Sequence, residues 1–223
     1  MATVVLQWHG LACVALTQKH DVGDVTVITD PFGPEDGIKL PRSIAADIVV
    51  LSVPLVKHRP ADLVGGQPFV IDHAGEYESK GVSIFGMRVP PAEDGQRGAA
   101  AAKQPCTVYR FEMDDLTIVH LGYINRPLTD SESEQFADAD VLLLPVGGQG
   151  HALDPRDAAA VVTSLEPRVV VPILFQLPGL SRTLDPVERF IKEVGLKPET
   201  VEKLKLTKKD LPQEETKLYR LLP

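Results

Sequence analysis

An α/β sandwich, two packed sheets with helices outside, is the architecture this sequence predicts, and three observations lead to it. The first half is a run of short apolar segments of strand length, separated by Gly, Pro and Asp turns. The second half alternates such segments with stretches of helical period, and no break in composition divides the halves. With 223 residues, 43% of them hydrophobic, one large domain spanning 1–223 can bury a core.

The predicted strands are Val4–Trp8, Cys13–Leu16, Val25–Thr29, Ile48–Leu51, Phe69–Ile71, Val82–Phe85, Thr107–Glu112 and Leu116–His120, then Val141–Leu144 and Val169–Leu174. Between the seventh and its predecessor, Pro90–Gln104 is rich in Pro, Gly and Ala and reads as a surface loop. Asp154-Pro155 and Asp185-Pro186 each set a capping carboxylate before a proline suited to a first helical turn. Helical spacing follows in both cases: Ala158, Val161, Val162 and Leu165 after the first, Val187, Phe190, Ile191 and Val194 after the second, with Gly195 as the stop. A weaker helix is expected over Asp130–Phe136. The tail from Leu196 is charged and ends in a strand-like Leu218–Leu222, which either packs on its own domain or adds to the edge of a second copy, making a homo-oligomer.

Charge and composition exclude several function classes. The formal charge is 23 minus 31, or -8, which repels nucleic-acid phosphates and anionic lipid. No uncharged run approaches the roughly 20 apolar residues of a membrane span, and the first residues carry no basic segment leading into an apolar core. A cytoplasmic protein with neither nucleic-acid nor membrane partners is expected. Cys13 and Cys106 lie far apart in apolar surroundings without metal or redox spacing, so both are expected to be buried small hydrophobes.

Certain phrases carry more information in their order than singly: Ile28-Thr29-Asp30-Pro31-Phe32, Ala46-Asp47-Ile48-Val49-Val50-Leu51-Ser52, Gly75-Glu76-Tyr77-Glu78, His120-Leu121-Gly122, Pro145-Val146-Gly147-Gly148, and Glu166-Pro167-Arg168 leading to Val171-Pro172. This ordered set resembles the small metallo-β-lactamase-fold hydrolases, in the branch similar to ascorbate-6-phosphate lactonases, over nearly the whole chain. The resemblance implies a four-layer αββα sandwich. It also implies a cleft where imidazoles and carboxylates hold zinc, which lowers the pKa of a bound water for attack on an ester, lactone, amide or phosphodiester.

The same resemblance shows what is missing. The family's HxHxDH motif falls on Val53-Pro54-Leu55-Val56-Lys57-His58, so Val53, Leu55 and Lys57 occupy ligand positions and His58 alone keeps a ligand side chain. The bridging Asp after His120-Leu121-Gly122 is Tyr123, and the final His is Leu174. A family His in the long loop falls near Ala92 or Glu93, and the early Gly-His-Ala phrase is Gly10-Leu11-Ala12. Aliphatic groups offer no lone pair, and a lysine cation opposes a dication. No metal and no other cofactor are therefore expected.

The remaining candidates belong to a vestigial pocket: His58, Tyr123, Asp30, Glu93 and His151. His58 could serve there as a general acid or base; His9, His73, His120 and His151 could in principle rebuild a ligand set with Asp30, Glu93 or Asp94, although His120 and His73 read as structural. Ser52 lacks the Gly-x-Ser-x-Gly elbow of a nucleophile, and Gly147-Gly148-Gln149-Gly150 is a family turn, not a GxGxxG phosphate cradle. Lys57, Arg59 and Arg97 offer a cationic mouth for a small anionic ligand. The leading expectation is a catalytically silent scaffold or binding module whose cleft is lined by Leu11, Val53, Leu55 and Leu174. The alternative is a hydrolase of a small ester, lactone or phosphoester that uses no metal or rebuilds a zinc site from His58, Glu93, Asp94 and His151.

Overall fold

Alternation decides which strands face solvent. In the computed structural model, which describes residues 3–21, 23–54, 60–92 and 104–223, β1 (Thr3–Gly10) buries every second residue. That is the pattern of a strand covered on one face. β10 (Val141–Pro145) and β11 (Val169–Ile173) are buried at every position, as parallel strands covered on both faces must be.

Two mixed sheets result. β2 (Cys13–Lys19), β3 (Val25–Thr29), β4 (Ile48–Val50), β5 (Phe69–Ile71) and β13 (Leu204–Leu206) join β1 in a six-stranded sheet of order β13-β1-β2-β3-β4-β5. The eight-stranded sheet adds β6 (Gly75–Ser79), β7 (Val82–Val89), β8 (Cys106–Met113), β9 (Leu116–His120), β12 (Pro198–Val201) and β14 (Lys217–Leu221), in the order β12-β14-β11-β10-β9-β8-β7-β6. β3, β4 and β5 run parallel, as do β9, β10, β11, β14 and β12, and the other pairs are antiparallel. The one-turn helix α1 (Pro60–Leu63) lies between β4 and β5, while α2 (Asp130–Glu134), α3 (Pro155–Leu165) and α4 (Val187–Val194) belong to the second half. α3 and α4 pack together, turning Ala158, Val161, Val162, Val187 and Phe190 into buried positions. This is the expected metallo-β-lactamase-type sandwich, with Trp8, Phe175, Tyr109 and Phe111 among its largest fully buried side chains.

Three strands escaped the sequence reading, because Gly-Glu-Tyr-Glu-Ser, Pro-Glu-Thr-Val and Leu-Lys-Leu are too polar or too short to announce themselves. They form both edges of the eight-stranded sheet and one edge of the other, where polar residues suit solvent. The N-terminal signal of the fourth helix also needs correction. α4 begins after Pro186 and Asp185 does not cap it; the Asp185 carboxylate accepts from Gln149 Nε2 at 2.9 Å and pairs with Arg189 at 2.7 Å. Asp154 does take the position before α3, but its side chain makes no capping bond to the helix.

The tail resolves in favour of its own domain. β14 lies between β11 and β12, with Val170 opposite Leu218 and Val201 opposite Leu221, so it offers no free edge to a second copy. Leu218 is 1% exposed and Leu222 42%. Leu218→Ala should therefore lower unfolding free energy by about 2–5 kcal/mol, and Leu222→Ala should change it by less than about 0.5 kcal/mol, in urea titrations followed by circular dichroism.

Candidate functional site

A buried polar knot ties the ends of β3 and β4 in one sheet to the end of β9 in the other. Asp30 follows β3, Ser52 follows β4, and His120 ends β9 in the other sheet. Asp30 Oδ1 accepts from the Ser52 amide at 2.6 Å, while Oδ2 accepts from Ser52 Oγ at 2.8 Å and from His120 Nε2 at 2.7 Å. Because Oδ2 is an acceptor, Nε2 carries the hydrogen. His120 is fully buried and Asp30 4% exposed, so this bond crosses the interior from one sheet to the other. Two further links lie beside it: the Thr107 amide donates to the Ser52 carbonyl at 2.8 Å, and the Tyr109 hydroxyl donates to the Leu51 carbonyl at 2.9 Å. Gly122 completes the knot, since a Cβ there would lie 2.1 Å from Ser52 Oγ.

This geometry separates structural from chemical roles. The Ser52 hydroxyl donates to Asp30 Oδ2, the same oxygen that accepts from His120 Nε2, so the imidazole bonds the carboxylate and not the hydroxyl and Ser52 is not activated as a nucleophile. Asp30, a pocket candidate in the sequence, lies below the cleft floor with its oxygens engaged. Both cysteines are buried and free, and burial together with the Asp30 charge raises each thiol far above neutrality, which keeps them out of thiolate chemistry.

The positions that the resemblance gives to metal ligands surround this floor. Val53 packs against the core at its edge, and Leu174 is wholly buried. Leu174 and Leu11 hold left-handed backbone (φ 52° and 49°), a conformation costly for a leucine. The Leu11 carbonyl accepts from the Leu174 amide at 2.8 Å and from Trp8 Nε1 at 2.9 Å, which fixes both turns. Tyr123, half-buried, presents a hydroxyl whose pKa burial and the Asp30 carboxylate push upward, so it stays protonated at neutral pH. Leu55, Lys57 and His58 lie outside the described residues, as do Glu93, Asp94, Arg59 and Arg97. The displaced zinc set is therefore represented by His151 alone.

His151 stands on the rim. Burial and the Arg182 guanidinium lower its pKa. Its amide and that of Ala152 both bond the Gly148 carbonyl, and the Gly148 amide bonds Leu153, so this turn spends those donors internally and forms no phosphate cradle. His9 lies on the opposite side of β1 from Trp8, near Lys203, and His73 is exposed and bonded to Asp72. Sequence reasoning missed Arg182 and Asp36, which form an ion pair between the loop after β11 and the loop after β3. Both sit in ordinary polar turns, and nothing local marks them. Among the described residues, no three His, Cys, Asp or Glu side chains are placed to hold a metal ion.

Two sheets faced by crossover helices, with a buried polar knot at the ends of β3, β4 and β9, define a metallo-β-lactamase-type protein. Residues 5–174 match the family model described as the β-lactamase superfamily domain, and the chain belongs to that family. It is 28% identical over 211 residues to a UPF0173 metal-dependent hydrolase of Thermococcus kodakarensis, covering 80% of this chain and 89% of that protein. A UPF0173 metal-dependent hydrolase of Methanopyrus kandleri is 23% identical over 88% of this chain and 95% of its own length. Among solved structures, one named as a Zn-dependent hydrolase of the metallo-β-lactamase superfamily from Thermotoga maritima superposes with a TM-score of 0.77 at 29% identity, covering 99% of this chain and 100% of that one.

The residues at the described family positions do not fit a divalent metal. Val53 and Leu174 have no donor atom, and Tyr123 would have to ionise against burial and a neighbouring carboxylate.

Two predictions follow from the knot and the loop above it. Asp30→Ala strands the Ser52 donors and His120 without a partner and should cost about 3–5 kcal/mol by chemical denaturation. On the Tyr123-bearing loop, Arg126 makes a two-bond pair with Glu132, 2.8 Å for each bond, and this holds the Glu132 pKa down to about 2 from an ordinary 4.5. A lowered carboxylate pKa stabilises above the unfolded value and is lost as pH falls from about 4.5 to about 2. Glu132→Gln should remove about 2 kcal/mol at pH 7 and flatten the acid limb of stability between those pH values.

Proposed function

We propose that this chain is a member of the metal-dependent hydrolase family that has given up the metal, and that it works as a binding or scaffold protein. The observation that carries the reading is Leu174: at the position where the resemblance expects the last ligand, a leucine is wholly buried, its amide bonded to the Leu11 carbonyl. Its neighbours support it. Tyr123 stands in the place of the bridging carboxylate and is kept protonated, and Val53 stands at the start of the ligand motif. Burying these apolar groups contributes roughly 25 cal/mol per Å² of area removed from water, a gain that a hydrated metal cleft forgoes. Since the fold is shared by proteins of different chemistry, function is argued from these side chains and not from the sandwich.

The relatives are named metal-dependent hydrolases, and that favours a second reading in which this chain keeps a metal; its substrate would then be a small ester, lactone or phosphoester. Elemental analysis separates the two. Purified protein incubated with zinc, manganese or iron and then desalted should retain no stoichiometric metal. Retention of one ion per chain, with hydrolysis that disappears on chelation, would overturn the proposal.

A further inference from the structure

We infer that the groove where β10, β11 and β14 begin docks a basic, amphipathic peptide segment of a partner protein, which sets Lys or Arg side chains against the groove's carboxylates and apolar side chains against its leucines. The groove lies at the ends of the parallel strands opposite the Asp30 knot, so the inference holds whether or not the chain binds a metal.

Asp140 directly precedes β10, Arg168 precedes β11 and Thr216 precedes β14, and α2 and the last turn of α3 complete the lining. Short bonds preform this base. The Asp140 carboxylate accepts from the Thr117 amide at 2.9 Å and from Lys208 Nζ at 2.7 Å, while the Asp140 carbonyl accepts from the Val169 amide at 2.9 Å. The Lys217 amide donates to the Arg168 carbonyl at 3.0 Å, and the Thr216 hydroxyl to the Pro167 carbonyl at 2.7 Å. A groove held open in this way spares a ligand the cost of ordering it. Its volume, about 1230 Å³, exceeds the roughly 300–1,000 Å³ of a small-molecule pocket and suits a length of polypeptide. Val162, Leu165 and Leu211 line it as buried side chains, whereas Val194 and Leu196 are only half-buried and keep apolar surface open to a partner.

Charge selects the occupant. Of the 22 lining residues seven are Asp or Glu and two are Lys or Arg, which leaves the groove at -5 in a chain whose total is -8. Both cations are spent inside it, Lys208 on Asp140 and Arg168 on the Gln213 carbonyl. Asp130, Glu134, Asp138, Glu166, Glu214 and Glu215 are all exposed, and none has an ion-pair partner among the described residues. The end of α3 strengthens the field, since its last turn brings the negative pole of the helix to the groove and carries no basic side chain. These carboxylates are spread along the groove, and among the described residues no three are placed to hold one metal ion. Complementary charge must therefore come spaced along a chain, with apolar side chains in the same ligand to cover the leucines.

The probe is a capped peptide that repeats Leu-Lys-Lys-Leu, titrated into the nitrogen-labelled full chain at constant ionic strength and followed by proton–nitrogen NMR, with a Leu-Glu-Glu-Leu peptide and spermine as controls. Saturable shifts of the Asp138, Glu166 and Thr216 amides are expected with the lysine peptide and none with the glutamate peptide. By calorimetry, Glu166→Lys combined with Glu214→Lys should weaken binding at least about tenfold, the scale of several exposed charge pairs lost and reversed. Glu76→Lys combined with Glu78→Lys alters net charge equally on β6, outside the groove, and should weaken it less than about twofold. All four positions are exposed, and circular dichroism checks that both variants fold. No saturable shift with the lysine peptide overturns the inference. Equal losses in the two double variants would also overturn it, by showing attraction to net charge alone, and spermine binding as tightly at the same amides would overturn the choice of a peptide.

Discussion

One buried carboxylate governs how the two halves of this sandwich meet. Asp30 accepts three hydrogen bonds, two from Ser52 in its own sheet and one from His120 in the other, in an interior where an unpaired charge would be costly. Its left-handed backbone (φ 39°) is one that aspartate tolerates better than most side chains. Because Asp30, Ser52 and His120 lie at the ends of three different strands, the bonds fix those ends, and the loops that leave them, relative to each other. Dispersion and apolar burial hold the sheets together, while this polar knot sets their register at the functional end.

The cleft above inherits that precision whatever its side chains are. Leu11 and Leu174 keep left-handed turns and bond each other although neither leucine favours the conformation. Strain of this kind persists where surroundings over-determine the backbone, and it gathers at functional sites. The same backbone holds the loops that carry Val53, Tyr123, Leu174 and the Arg182–Asp36 ion pair.

A metal ion and an arginine carry positive charge in different ways. A metal cleft supplies concentrated positive charge to polarise water and substrate oxygen. Arg182 carries a single, delocalised and permanent charge with fixed donor directions, and Asp36 pairs with it. Kinship to hydrolases by itself does not describe the chemistry of this chain, which has to be argued from its side chains.

Much of this was legible in the residues alone. Long apolar strands, the proline-led helix α3 and the weak helix before β10 follow from local periodicity, and the order of short phrases located the floor residues Asp30, Ser52 and His120. The polar edge strands β6, β12 and β13 were not legible, since their pairing, not their composition, makes them strands. Nor was the true partner of Asp185, because a nearby Gln149 amide from another loop outcompeted the helix end. The sequence by itself determined the sandwich, and it supplied the identities Val53, Tyr123 and Leu174 on which the proposal of a lost metal rests, because both depend on residue identity and spacing. Only the tertiary structure decided that His120 bonds Asp30, that β14 is an interior strand, and that Arg182 meets Asp36, because each joins segments that local propensity treats as unrelated.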